Sequence, residues 1–122
     1  MTIKEVSTKM DLTNDTLRYY ERVGLIGPIK KTTSGIRDYD EADLRRIEFV
    51  KCMRAADLPI EVLVKYMQLF DKGDNTIKDR IELLKNQRVI LKDKIEEMNK
   101  ALERLNYKID LYSKDLKKGE NK

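Results

Sequence analysis

The sequence predicts a mainly α-helical protein, with four short helices and a small β-hairpin in residues 1–71 and one long helix after them. Two observations carry this prediction. In the first 71 residues apolar side chains recur at helical spacing between capping signals, and after Thr76 they recur at alternating intervals of four and three. We expect a folded head over 1–71, a linker over 72–75, a coiled-coil helix over 76–118 and a disordered tail over 119–122.

Composition excludes several classes of protein. The chain has 39% charged and 7% aromatic residues and a formal net charge of +4, which is typical of a chain rich in exposed helix. One cysteine and no histidine leave no intrachain disulfide and no cluster of soft metal ligands, so we expect no metal and no cofactor. Because no apolar run is long enough to span a bilayer and no signal-peptide core is present, we predict a cytoplasmic protein with no membrane partner.

Two short helices joined by a turn open the chain. Thr2 and Glu5 form a capping-box pattern before the first helix. The second helix is expected to begin after Thr13, an N-cap, and to end at Gly24. Such a pair, with exposed polar side chains on the second helix, indicates a helix-turn-helix.

The second helix has one apolar face and one face of hydrogen-bond donors. Leu17 and Tyr20 are three residues apart and share the apolar face. The donors point elsewhere and suit a phosphate backbone, since arginine offers a fixed fork of N–H groups and hydroxyls add neutral donors: Thr16, Arg18, Tyr19 and Arg22. The alternative is that both tyrosines are core aromatics and the arginines are ordinary solvated charges.

A small hairpin is predicted directly after this helix. Two β-prone runs, 26–31 and 36–39, flank a turn at 32–35. Between Thr16 and Arg37 five basic residues accompany one acidic residue, Glu21, although residues 1–71 as a whole are neutral. We interpret the hairpin as a wing whose Lys30, Lys31 and Arg37 reach the DNA backbone. The alternative is a plain surface loop with scattered charge.

Two further helices complete the head. The third is capped by residues 40–43 and runs to about Ala56, with apolar residues around most of its circumference, so we expect it to be largely buried. Pro59 starts the fourth helix, and residues 57–60 are interpreted as a second, shorter wing. The polar, glycine-containing stretch 72–75 then separates the head from the remainder.

The long helix carries a heptad repeat over more than five heptads. Its seam residues are Ile77, Ile81, Leu84, Arg88, Leu91, Ile95, Met98, Leu102, Leu105, Ile109, Tyr112 and Leu116. A helix from Thr76 to Leu116 is about 60 Å long, too long to fold back on the head, so the seam predicts a homodimer. Arg88 either extends to solvent or fixes the register, and periodicity alone leaves the strand direction open.

Taken together, these segments resemble the MerR family of bacterial transcription regulators. The resemblance rests on Thr16–Ile26, on Gly35–Tyr39 and on the long terminal helix. It implies an N-terminal winged helix-turn-helix of four helices and an antiparallel coiled-coil dimer on a two-fold operator. It also implies that the dimer bends and untwists double-stranded promoter DNA, and so affects RNA polymerase indirectly.

The resemblance also assigns roles to individual residues. Thr16, Arg18, Tyr19 and Arg22 face DNA from the second helix and Arg37 from the wing. Tyr20 is either a DNA contact or a packing residue, and Tyr39 hydrogen-bonds a phosphate. Most of these contacts are to the backbone, so specificity depends largely on the deformability of the DNA.

The resemblance leaves the effector open. Metal-sensing members place cysteines at both ends of the dimer helix and drug-sensing members append a folded domain, and this sequence has neither pattern. A branch of similar length, with a segment like Lys51–Arg54, responds to aldehyde or nitrosative stress through one cysteine, which implies a sensor role for Cys52. The alternative is an apolar filler in a buried helix.

Two other classes of function compete with a regulator. A coiled-coil adaptor without DNA function requires an apolar docking patch on the head, whereas the exposed residues are predicted to be basic. A thiol enzyme using Cys52 requires a base and a cleft, and the sequence has no histidine. We therefore expect a protein that is not an enzyme.

Overall fold

The computed structural model describes residues 1–120 and divides into two compact units, Met1–Leu83 and a second that begins at Leu84. The helices are α1 (Ile3–Met10), α2 (Asn14–Val23), α3 (Glu41–Ala55), α4 (Ile60–Asp71) and α5 (Ile77–Glu120), with a 3₁₀ turn at Asp74–Thr76 before α5. The prediction of a mainly α-helical protein with four short helices and one long helix is confirmed. No β-strand is assigned within the described residues.

The ends of α1 and α2 follow the capping signals. The Thr2 hydroxyl accepts from the backbone N–H of Glu5 at 3.2 Å, and the Glu5 carboxylate accepts from the N–H of Thr2 at 3.0 Å. The Thr13 hydroxyl accepts from the N–H of Thr16 at 3.0 Å. Gly24 ends α2 in the left-handed conformation, with φ of 89°. Both predicted caps of α2 are confirmed.

The core of the first unit is built from one apolar stripe of each helix. Val6 of α1, Leu17 of α2, Ile47 of α3 and Leu63 of α4 are each at most 1% exposed and belong to one cluster. The segment after α2 adds Leu25, Ile26 and Ile29 to the same cluster. This core therefore holds α2 by its Leu17 face and leaves its opposite face free.

The third helix is less buried than its sequence predicts. Leu44, Ile47 and Val50 form a single buried stripe, whereas Ala42, Cys52 and Ala55 are exposed. The prediction of a largely buried α3 is wrong because small side chains are tolerated at the surface, so their presence does not widen the buried face. Asp40 and Asp43 cap the helix reciprocally, with contacts of 2.8 and 2.9 Å.

The connection between α3 and α4 is a tight turn and not a second wing. Asp57 has a φ of 71°, and its N–H donates to the Arg54 carbonyl at 3.0 Å. Leu58 is 6% exposed, and its carbonyl accepts from Arg54 at 2.6 Å. The buried leucine holds this turn against the core, so it does not project as a hairpin.

The predicted wing hairpin is reduced to its turn. Within residues 30–38, here called the hairpin segment, a single antiparallel bridge joins Lys31 to Arg37. Backbone N–H groups of Thr32 and Asp38 donate across it at 2.7 Å each, and Ile29 and Tyr39 at its base are buried. An isolated two-stranded ribbon is marginal without a further strand to pair with, which explains why the two predicted runs do not extend into strands.

A polar corner connects α4 to α5. Thr76 is 5% exposed, and its hydroxyl donates to the carbonyls of Leu69 at 2.5 Å and Gly73 at 2.8 Å. The Arg80 guanidinium lies 5.4 Å from the centre of the Phe70 ring and donates to the Gly73 carbonyl at 3.2 Å. Within the segment predicted as a linker, the Gly73 carbonyl therefore accepts hydrogen bonds from two side chains that follow it in the chain.

The heptad seam of α5 is exposed along the 44-residue helix. Ten of its members are between 36% and 70% exposed: Ile77, Ile81, Leu84, Ile95, Met98, Leu102, Leu105, Ile109, Tyr112 and Leu116. Gly119 and Glu120 continue the helix, whereas the remainder of the predicted disordered tail, Asn121 and Lys122, lies outside the described residues. In residues 1–120 no helix has the combined length and apolarity that crossing a bilayer requires.

Candidate nucleic-acid interface

The outer face of α2 carries a stacked group of donors. The Arg22 guanidinium lies 5.2 Å from the centre of the Tyr19 ring, and Arg22 itself is exposed. Stacking of this kind restrains the arginine without using its N–H groups. The face therefore presents a guanidinium and a phenol side by side.

Arg18 lies one turn earlier on the same helix. Its Nη1 is 3.3 Å from Oδ1 of Asp15, whose side chain is 96% exposed. An ion pair this exposed is weak, so Arg18 is available to a stronger anion such as a phosphate. Thr16 is half-buried, and its hydroxyl lies 2.8 Å from the hydroxyl of Thr13 within the N-cap of α2.

Tyr20 packs in the core. It is 7% exposed and belongs to the same cluster as Leu17 and Leu25. Its ring centre is 6.3 Å from that of Tyr19, so the two tyrosines connect the core to the outer face. Of the two roles left open by the sequence, the structure favours packing for Tyr20.

The hairpin segment adds three basic side chains beside α2. Lys30 and Lys31 are exposed. Arg37 is instead paired: its Nε donates to Oε1 of Glu21 at 2.8 Å, across 16 residues of sequence. The two side chains are 34% and 19% exposed, so this ion pair is partly desolvated.

Tyr39 does not lie at the surface. Its side chain is buried, and its hydroxyl has no hydrogen-bond partner among residues 1–120. Burial raises the pKa of Tyr39 above its usual range, and the neighbouring charge of Glu21 raises it further. The resemblance implied that this hydroxyl hydrogen-bonds a phosphate. In this structure the ring is enclosed in the core, so the hydroxyl does not reach the surface.

Cys52 is exposed on α3. The interpretation of this residue as a buried filler is therefore wrong. A shallow groove surrounds the thiol, and its lining residues are Lys9, Met10, Glu48, Lys51, Cys52 and Ala55. The Lys51 ammonium donates to the Met10 carbonyl at 2.5 Å, which ties α3 to the end of α1 beside the cysteine.

Comparison with known proteins assigns the family. Residues 1–69, more than half of the chain, match the MerR HTH family regulatory proteins. The chain belongs to this family. The matched region contains α1 to α3, the hairpin segment and most of α4.

Individual relatives agree with the assignment. The HTH-type transcriptional regulator AdhR of Bacillus subtilis is 54% identical over 88 residues, which are 72% of this chain and 63% of AdhR, so the match spans less than two thirds of that relative. A crystal structure of a MerR family regulator from Listeria monocytogenes is 50% identical, with a TM-score of 0.90 over 93% of this chain and 86% of its own.

A second solved structure includes DNA. HiNmlR, described as a MerR family regulator lacking the sensor domain and bound to promoter DNA, is 26% identical, with a TM-score of 0.84 over 93% of this chain and 90% of its own. The relatives of this MerR-family chain are transcriptional regulators, not enzymes.

Sequence reasoning missed two residues that organise the MerR-family head. Glu21 appeared only as the one acid in a basic stretch, although it holds Arg37. Arg46 of α3 was not singled out at all, although its Nε donates to the Leu25 carbonyl at 2.9 Å and its side chain is 15% exposed. The sequence offered no signal for Arg46, because seven of the 15 residues of α3 are charged and only the tertiary contacts distinguish this one.

Proposed function

We propose that this protein is a dimeric, sequence-specific DNA-binding transcription regulator that acts on promoter DNA in the cytoplasm. The observation that carries the proposal is the outer face of α2, where Arg18 and Arg22 are exposed and the half-buried Tyr19 stacks with Arg22. Lys30 and Lys31 extend this basic surface onto the hairpin segment. Arginine forks and phenol hydroxyls are donors that bind phosphates and base edges.

The dimer forms through α5. A row of exposed apolar side chains at heptad spacing is the surface that a second copy of the same helix covers, and large exposed apolar patches mark interfaces. An antiparallel pairing, as the family resemblance implies, places one head at each end of the coil. Two recognition helices then enter successive major grooves of a two-fold operator.

The protein acts on the DNA by deforming it. Contacts to phosphates on both sides of a groove position the two heads, and a rigid dimer bends and untwists the duplex between them. RNA polymerase responds to the altered promoter geometry, so its coupling to the protein is indirect. This step rests on the family resemblance, with the donor face of α2 as the surface that holds the DNA.

Salt-dependent binding tests the proposal. The duplex is the DNA upstream of the protein's own gene, compared with a random duplex of the same length. Arg18→Ala should weaken binding and reduce the slope of log affinity against log salt by about 2, because one phosphate contact is lost in each protomer of the dimer. Arg45→Ala removes an exposed arginine of α3 and serves as the matched control, with an unchanged slope.

The opposite result favours a different function. If neither duplex binds better than the other, and Arg18→Ala behaves like wild type, the regulator proposal is wrong. The alternative function, a coiled-coil adaptor without DNA function, would then be favoured.

We further propose that Cys52 senses aldehydes or other thiol-reactive compounds. The exposed thiol is accessible to a small electrophile. Its sulfur attacks the carbonyl carbon, the new S–C bond replaces the C=O π bond, and the thiol proton ends on the carbonyl oxygen, which gives a hemithioacetal. The new group occupies the groove where Lys51 joins α3 to Met10, and so alters the packing of α3 on the head.

Titration with formaldehyde tests the sensor. We expect it to change the DNA affinity of wild type and to leave Cys52→Ser unchanged. An equal response of both proteins assigns the effect to lysines and rejects Cys52 as the sensor.

A further inference from the structure

Glu21 occupies an unusual place for an acidic residue. It lies on α2 beside Arg18 and Arg22, which are proposed to bind phosphates. A carboxylate near DNA phosphates opposes binding, so electrostatics alone favours its absence from this surface. Its side chain is nevertheless 19% exposed and committed to a contact within the protein.

The contact of Glu21 with Arg37 joins two segments that are far apart in sequence. Across residues 30–38, all of which the structure describes, Arg37 alone is partly buried and every other residue is exposed. Its Nε donates to the Glu21 carboxylate at 2.8 Å. This charge-assisted hydrogen bond joins the hairpin segment to α2. A second ion pair, between Asp38 and the N-terminal ammonium of Met1 at 2.9 Å, joins the segment to the start of the chain.

The surroundings of Glu21 are shaped around its side chain. A Cβ atom added at Gly27 would meet the Glu21 Cγ at 3.0 Å and the Ile29 backbone nitrogen at 3.0 Å. Glu21 also lies close enough to Tyr39 for its charge to raise the pKa of that phenol. The carboxylate thus sits at the junction of α2, the segment after it and the base of the hairpin segment.

We propose that Glu21 is a positioning residue of the DNA interface, which fixes Arg37 and the hairpin segment relative to the recognition helix α2. Because Glu21 accepts from Nε, the terminal NH₂ groups of the Arg37 guanidinium are the ones directed to a phosphate. This proposal rests on the proposed DNA-binding function. It predicts that Glu21 increases DNA affinity, although its negative charge alone would decrease it.

Glu21→Gln distinguishes a positioning role from simple electrostatic repulsion, because the two predict opposite changes in DNA affinity. Removing a repulsive charge tightens DNA binding and steepens its salt dependence. Weakening the hold on Arg37 lowers the DNA affinity, on the order of tenfold, because the glutamine amide oxygen offers Nε only a neutral acceptor in place of a charged one. Asp15→Asn is the matched control, since it also removes an acid from α2 but one whose side chain is 96% exposed, and it should bind as tightly as wild type or more tightly.

A double-mutant cycle on the full-length protein separates positioning from a general loss of structure. Affinity for the upstream duplex is measured for wild type, Glu21→Gln, Arg37→Ala and the double variant, at a temperature where circular dichroism shows each to be folded. The proposal predicts that Glu21→Gln causes no further loss once Arg37 is gone. Arg37→Lys, which keeps the charge but lacks the Nε donor, should lose as much affinity as Glu21→Gln.

Each outcome has one reading. A loss in Glu21→Gln that vanishes in the Arg37→Ala background supports the proposal. Unchanged or tighter binding by Glu21→Gln, additive losses in the cycle, or a wild-type affinity in Arg37→Lys overturns it while leaving the regulator function intact. Failure of wild type itself to prefer the upstream duplex overturns both proposals.

Discussion

Arg46 of α3 holds Asp71, the last residue of α4, through two parallel contacts of 2.9 and 3.1 Å. The same guanidinium donates through Nε to the Leu25 carbonyl at 2.9 Å. One side chain therefore joins α3, α4 and the segment that follows α2. Planar bidentate geometry of this kind is specific to arginine, since lysine offers no fixed fork.

Loss of Arg46 should destabilise the head. We expect Arg46→Ala to lower the free energy of unfolding by about 2 kcal/mol, because it leaves the Leu25 carbonyl and the Asp71 carboxylate without this donor. Arg45→Ala, the exposed neighbour, should stay within about 0.5 kcal/mol of wild type. Urea denaturation at a fixed protein concentration measures both values. Equal losses of stability in Arg46→Ala and Arg45→Ala would contradict a structural role specific to Arg46.

Gly27 should be more sensitive to substitution than Gly35. Both have a φ of +84°, so alanine carries a similar backbone cost of about 1 kcal/mol at either position. Only Gly27→Ala places a methyl group 3.0 Å from Glu21 and from the Ile29 nitrogen, whereas Gly35 has open space. Gly27→Ala should therefore lose more thermal stability and also weaken DNA binding. Similar values for the two variants in thermal unfolding and duplex binding would contradict this.

Tyr39→Phe should stabilise the protein. The enclosed hydroxyl has no partner within the described residues, and burying it costs about 1 kcal/mol that phenylalanine avoids. DNA affinity should stay at its wild-type value, in contrast to the role that the resemblance assigned to this residue. Tyr19→Phe, on the outer face of α2, is the control and should leave stability unchanged.

The benefit of Tyr39→Phe should grow at high pH. Burial raises the pKa of Tyr39, so the folded state favours the neutral phenol. The stability of the wild-type protein is therefore unaffected by this group below the pKa of tyrosine in the unfolded chain, about 10. It falls as the pH rises from that value through the pKa of Tyr39 in the folded state. Denaturation at pH 7 and pH 11 should therefore show a larger difference between the two proteins at pH 11. A constant difference would indicate that the phenol titrates normally.

The α5 seam should control assembly. Leu102→Lys places a charge in the apolar row and should weaken the dimer by at least about 100-fold, because two apolar side chains are lost from each interface. Glu103→Lys introduces the same side chain one position along, outside the seam. Sedimentation equilibrium should show dissociation of the first variant only, and dissociation of both would point to charge repulsion.

Cross-linking should reveal the direction of the two helices. In a Cys52→Ser background, Ile77→Cys and Leu116→Cys mark opposite ends of the seam. An antiparallel dimer forms a disulfide between the two variants when they are mixed, because the ends of different chains then meet. A parallel coil would instead form disulfides between two copies of the same variant, and none between an Ile77→Cys chain and a Leu116→Cys chain.

Contacts within one turn of helix were predictable from the chain alone. The caps at Thr2, Thr13 and Asp40 join residues three apart, and the stop at Gly24 depends on local conformation. The heptad row of α5 is likewise a property of sequence spacing. These features need no knowledge of the tertiary fold, because their partners are fixed by neighbouring backbone atoms.

The candidate site was predictable as a group of residues but not as an arrangement. The donor face of α2 follows from periodicity, and Leu17 and Tyr20 lie on the buried side as expected. The sequence did not predict the exposure of Cys52 or the burial of Tyr39. An amphipathic pattern shows which residues are apolar, but not how much of each side chain the neighbouring segments cover.

The sequence by itself determined the helices, their ends, the basic stretch after Thr16 and the apolar row of α5. Only the tertiary structure decided that Glu21 holds Arg37 across 16 residues and that Arg46 holds Asp71 across 25. The physical reason is range: caps and periodicity act within a turn or two of backbone, whereas an ion pair between distant segments exists only after the core has brought them within about 3 Å.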